Sequence, residues 1–222
     1  MMNYQQLVDY LFSIREEKHA SLSDSISSSD VPSLGIKIPV LKKIVQDNYQ
    51  NDDLILLQFE LNKYIEIDLL YFCLALKRAK NLEGQIFFLK RNLKYAKSWM
   101  ITDIAQQYMK KMSFEEYEEL FNEFIKSEYE FARRYAYVVG LKFAKDEKIL
   151  SLLDKFVLNE TYMVMMSEAW LLATIAINYP EEVFAYLSKI DDMTLKRKTI
   201  SKICDSYRIE KQQKDKFKTL RR

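Results

Sequence analysis

The sequence predicts an all-α solenoid of stacked helix pairs, and three observations predict it. Only three glycines and three prolines punctuate 222 residues, which starves the chain of the turn residues that a many-stranded fold requires. Apolar residues recur at helical spacing over most of the length, divided by recognisable start signals. Four of the expected helices begin near Glu66, Ser98, Tyr129 and Thr161, at intervals of 32, 31 and 32 residues. A fixed interval of this size marks a repeated helix–turn–helix unit. At 49% hydrophobic residues the chain can bury a sizeable core, and residues 1–222 read as a single domain.

In chain order, the first expected helix covers about 3–18, and SDSISSSDVPS at 23–33 is the one clear polar loop. Pro39 opens the next helix, 39–49, because its fixed φ and missing N–H suit a first turn. Apolar periodicity then gives helices at 52–63, 66–80, 83–95 and 98–112. Ser113 with Glu116 reads as a capping box before 114–126, and Ser127 with Glu128 to Glu130 as another before 129–144. Further helices are expected at 147–158, at 161–178, at 181–190 behind Pro180, and at 194–206, followed by a basic tail at about 208–222. Trp99, Arg134 and Trp170 keep a similar spacing, 35 and then 36 residues. The fold class is therefore a HEAT-like helical-repeat solenoid, an α–α superhelix, whose concave face is the usual binding surface.

Composition narrows the function classes. Cys73 and Cys204 are far apart, without CxxC or Cys/His spacing, and read as core thiols in a reducing cytoplasm. The start of the chain lacks a basic segment followed by an apolar run, and no stretch of 18 apolar residues occurs, so no membrane partner is expected. A His cluster, metal-ligand spacing, a Gly-rich phosphate loop and a nucleophile motif are all missing, which argues against metal sites, bound cofactors, nucleotide enzymes and nucleophile-dependent hydrolases. The single histidine, His19, reads as a surface residue, and the chain as a cytoplasmic monomer. Net charge is only +2, but residues 186–222 hold 12 Lys/Arg against 5 Asp/Glu, leaving −5 on the preceding 185. A basic end suits phosphate contact and equally a solubilising tail.

Three helices hold the candidate site. In SWMITDIAQQYMKKM, Ile101, Ile104, Ala105, Tyr108 and Met112 form an apolar stripe, while Trp99, Asp103, Gln106, Gln107 and Lys110 lie opposite. Trp99 therefore stands one turn from a carboxylate, which fits a binding site; the structural alternative folds its ring under Tyr95 as a core cap. In EYEFARRYAYVVGLKF, Arg133 and Arg134 interrupt an apolar helix, where an arginine must meet an acid or a phosphate. Asp103, Glu128 and Glu130 are the candidate structural partners. Trp170, in YMVMMSEAWLLATIAINY, reads as core packing on the local pattern alone.

The ordered set LGIKIPVLKKI, KSWMITDI, FARRYAYVVGL, SEAWLLA with NYPEEV, and MTLKRKTI resembles the AlkD-like DNA alkylation repair family over about residues 34–206. Trp99 and Asp103 match that family's W-x-x-x-D, Arg134 the arginine of its next repeat, and Trp170 the following tryptophan. The resemblance implies a DNA glycosylase that excises cationic N3- or N7-alkylated purines from double-stranded DNA. It implies that Asp103 faces the lesion-bearing sugar, that Trp99 and Trp170 pack against sugar and phosphate, and that Arg134 contacts the backbone. Basic residues of the first and last repeats, among them Lys37, Lys42, Lys43, Lys196 and Arg197, are expected to grip phosphates. Two departures stand out: SDSISSSDVPS at 23–33 stands where relatives carry an aromatic N-terminal segment, and Ala173 replaces a basic residue found in active ones. A non-enzymatic repeat protein binding DNA of unusual structure, and a protein-binding solenoid, are the alternatives.

Overall fold

A computed structural model describes residues 2–27, 29–158 and 160–221. Ser28 and Arg222, which fall in the expected loop and tail, lie outside the described residues. The described chain is all-α, a HEAT-like helical repeat with no strand among the described residues. It divides into two compact units, Met1–Lys111 and Met112–Arg222.

The first unit holds α1 (Tyr4–Ser13), α2 (Glu17–Ser27), α3 (Ile38–Asn48), α4 (Ile65–Arg78), α5 (Leu82–Asn92) and α6 (Trp99–Ala105). α4 is its spine, packing on α3, α5 and α6 and burying nearly every residue from Ile65 to Leu76. Asn3 caps α1 through a reciprocal box with Gln6, and Pro39 sits in the first turn of α3 as its chemistry dictates. The expected first helix is broken at Ile14 to Glu16, and α2 runs through Ser27, so helix replaces the first part of the expected polar loop.

Residues 52–63 do not form the expected helix. Only Leu56–Gln58 makes a 3₁₀ turn, and Asn62 adopts φ +62°. Competition for hydrogen bonds explains the difference. The Arg78 guanidinium donates to the carbonyls of Tyr49, Leu54, Asn48 and Asn51 at 2.8–3.2 Å, satisfying the carbonyls with which a continuing helix would have bonded. Asp68 accepts from the Asn62 amide at 2.9 Å.

The second unit holds α7 (Phe114–Phe124), α8 (Glu130–Gly140), α9 (Tyr162–Ile175), α10 (Pro180–Lys189), α11 (Met193–Asp205) and α12 (Lys211–Lys218). Here α8 packs on α9 and α9 on α11. Residues 147–155 form a 3₁₀ helix in place of the expected α-helix. The capping box of Ser113 and Glu116 is present. Ser127, expected to cap α8, instead accepts from the Tyr129 amide at 3.2 Å and shapes the preceding turn. The basic end is folded rather than extended: α12 buries Phe217, whose ring meets Phe184 at 5.7 Å. Starts at 65, 99, 130, 162 and 193 preserve the repeat spacing.

Candidate functional site

In the first unit the site is built on α6. Ser98 caps the helix, its hydroxyl accepting from the Met100 amide at 3.2 Å, which fixes Trp99 as the first helical residue. Met100, Ile101, Thr102, Ile104 and Ala105 are buried. Only Trp99, Asp103 and the glutamines that follow reach the open face. Trp99 and Asp103 thus share one face at a spacing of one turn. The Trp99 indole N–H donates to the Ile26 carbonyl in the last turn of α2 at 3.2 Å, so α2 holds the half-buried ring. The Asp103 carboxylate accepts from the Thr102 hydroxyl at 3.0 Å.

The neighbouring loop is tied down to α4. The buried Glu66 carboxylate accepts from the Ser33 hydroxyl and from the amides of Leu34, Gly35 and Ile36, at 2.7–3.2 Å. Gly35 has φ +76°, and a Cβ there would meet the Glu16 carbonyl oxygen at 2.2 Å. Loop and α2 together form, with Trp99 and Met100, an apolar cleft of about 360 Å³. His19, expected at the surface, is half-buried in its wall.

Of the expected phosphate contacts in this unit, Lys43 is exposed and Lys37 is exposed but paired with Glu16 at 3.1 Å. Lys42 donates to Gln107 at 2.7 Å, which brings an α3 cation to the edge of the Asp103 face. Lys77 is a further cation near α3 that the sequence did not single out. Its ammonium donates to Gln46 at 2.6 Å and lies 4.6 Å from the Tyr49 ring centre, beside the same helix as Lys42. Nothing in the sequence marked it, because a lysine in the last turn of a helix is ordinary dipole compensation.

Arg134, Trp170, Lys196 and Arg197 belong to the second unit. Arg133 forms an ion pair with Glu160 at 2.9 Å and donates to the Ser127 carbonyl at 2.8 Å, a partner set the sequence did not suggest. Arg134, expected to contact DNA backbone, is only 5% exposed and donates to the Met163 carbonyl, joining α8 to α9. Lys196 is likewise buried, whereas Arg197 is exposed. Trp170 is 39% exposed, so the core reading suggested by its helix does not hold. Two residues earlier, Glu168 is fully buried with Oε1 lacking a hydrogen-bond partner. Burial, reinforced by the charges of Asp192 and Glu160, raises its pKa well above the ordinary carboxylate range.

Among the described residues no group of three or more His, Cys, Asp or Glu side chains is arranged to hold a metal ion, and no helix is long and apolar enough to cross a membrane. Cys73 is buried and Cys204 partly buried, both as free thiols. A family model described as DNA alkylation repair enzyme matches residues 9–209. No curated protein matches the chain.

Proposed function

The chain belongs to the DNA alkylation repair enzyme family, and from that premise we propose that it is a DNA glycosylase excising cationic N3- or N7-alkylated purines from duplex DNA. The observation that carries this reading is the placement of Trp99 and Asp103 one turn apart on the open face of α6. An aromatic face and a carboxylate addressing one point suit a reaction in which positive charge moves from a base to a sugar.

Alkylation at N3 or N7 leaves the purine positively charged. When the bond from C1′ to the base breaks, both its electrons go to the base, which departs neutral and needs no protonation. The sugar is left oxocarbenium-like. Asp103 stabilises that cation electrostatically and orients a water, whose oxygen bonds to C1′ as its proton is released. Trp99 and Trp170 supply aromatic faces, each worth about 0.5–2 kcal/mol toward a cation. Lys37, Lys42, Lys43 and Arg197 serve as phosphate contacts in this reading, which leaves the buried Arg134 and Lys196 to the scaffold.

Incubation with duplex DNA containing 7-methylguanine, followed by detection of free base, tests the proposal. Release is expected from this DNA and not from duplex containing uracil, whose leaving group carries no positive charge. Asp103→Asn keeps the shape and removes the charge, a loss that typically costs about 10²–10³ in rate. The variant should fold and bind DNA but release base at least about tenfold more slowly, a cautious bound on that range. A wild type that binds duplex and releases nothing would leave the non-enzymatic DNA-binding reading in its place.

A further inference from the structure

A further cleft lies wholly within the second unit, beside Trp170. It measures about 310 Å³, at the low end of the roughly 300–1,000 Å³ usual for ligand sites. One wall is the C-terminal half of α9, presenting Trp170 and Thr174; the other is the end of α11 with the turn that follows, presenting Lys202, Tyr207 and Arg208.

The turn is firmly built. Ser206 ends α11, and its hydroxyl accepts from the Arg208 amide at 3.3 Å. Ile209 is buried, and beyond it Phe217 pins α12 against the unit while Lys216 pairs with Glu181. With residues on both sides anchored, Tyr207 and Arg208 are displayed outward, and Tyr207 is 95% exposed. A lone exposed aromatic is unremarkable. Two aromatic residues lining one cleft, with Lys202 and Arg208 outnumbering the single carboxylate of Asp205 on the wall of Tyr207, are a different arrangement, because base faces stack on aromatic rings and phosphates pair with Lys and Arg.

We propose that Tyr207 and Arg208, with Trp170 and Lys202, form a nucleotide-holding subsite in which a DNA base turned out of the duplex stack lies on Tyr207 and its flanking phosphate meets Arg208. This rests on the DNA-directed reading of the protein and extends it to a turn outside the helices that hold the candidate catalytic residues. The subsite is a positioning device: it holds the strand next to Trp170 and takes no part in bond breaking.

The test compares the full chain with Tyr207→Ala, Tyr207→Phe and Arg208→Ala. Duplex DNA carrying 2-aminopurine is the probe, read by anisotropy for affinity and by base fluorescence for stacking. Both residues altered are solvent-facing, so thermal melts of all three variants should coincide with wild type. Tyr207→Ala is expected to bind at least about fivefold more weakly, the lower end of a lost base–aromatic stack, and to lose the stacking-dependent change in fluorescence. Tyr207→Phe keeps the ring and should keep both. Arg208→Ala should reduce the slope of log affinity against log salt by about 0.9. If the wild type binds and Tyr207→Ala matches it in both readouts, the subsite is refuted while the DNA-directed reading stands. If the wild type does not bind the duplex at all, that reading falls, and the subsite with it.

Discussion

Two carboxyl groups two residues apart in α4 have opposite surroundings. Glu66 accepts four hydrogen bonds from the loop at 33–36. Asp68 accepts one, from Asn62, and its Oδ2 has no hydrogen-bond partner. Burial, helped by the nearby Glu66 charge, pushes Asp68 up from 3.8 to about 7. Because the folded chain holds this proton to higher pH than the unfolded chain, the contribution to stability is full below about 3.8 and is lost as pH rises toward 7. The slope across that window is about 1.4 kcal/mol per pH unit. Asp68→Asn retains an acceptor for Asn62 and removes the titration, so its melting temperature should exceed that of wild type by more at pH 8 than at pH 5; an equal difference at both would refute the assignment. Arg134→Ala tests a buried cation in the same way. Leaving the Met163 carbonyl without its donor should cost about 1–3 kcal/mol in denaturant unfolding, whereas a phosphate-gripping arginine would leave stability alone and weaken DNA binding. Trp99 and Asp103 were legible because one helical period places both. The fate of the two arginines was not, since adjacent arginines in an apolar helix look alike until Glu160 and Met163 come into reach.

At the scale of elements, the decisive piece is the loop from Ser33 to Ile36, which sets α2 against α6. Gly35→Ala would force a Cβ into the Glu16 carbonyl and the Ala20 amide nitrogen, 2.2 and 2.5 Å away, at a positive φ. Those neighbours are backbone and cannot swing aside. Strain of left-handed backbone alone is about 1–2 kcal/mol, so the loss of stability should exceed about 1 kcal/mol. Trp99 emission should also shift, because α2 would no longer hold its indole; a variant as stable as wild type with unchanged emission would overturn this account. Most helices were legible from apolar period and caps because the same local pattern both forms the helix and buries it. Residues 52–63 show where that logic stops. Their pattern is helical, but Arg78 and Asp68, both distant in sequence or on the next helix, take up the backbone groups a helix needs. The break between α1 and α2 escaped notice for a related reason: the Glu16 amide bonds the Leu34 carbonyl at 3.1 Å, a partner that local pattern cannot disclose.

For the molecule as a whole, charge decides how DNA would be held. A net charge of +2 gives little long-range attraction, and many exposed cations are already engaged, as Lys148 is with Glu115 and Lys155 with Glu118. Attraction must then come from a few local cations. Lys37, Lys42, Lys43 and Arg197 are the proposed phosphate contacts, Lys37 by exchanging Glu16 for phosphate, and each neutralised phosphate releases counterions worth a slope of about −0.9 in log affinity against log salt. Four such contacts give a slope of about −3.6 and the Arg208 subsite takes it to about −4.5. Titrating duplex DNA from low to physiological salt measures this number directly. A slope near zero would mean that phosphates are not gripped at all and would favour a protein partner over DNA. A slope far steeper than five contacts can supply would mean that the basic α12 lysines, outside the assigned set, lie on the DNA as well.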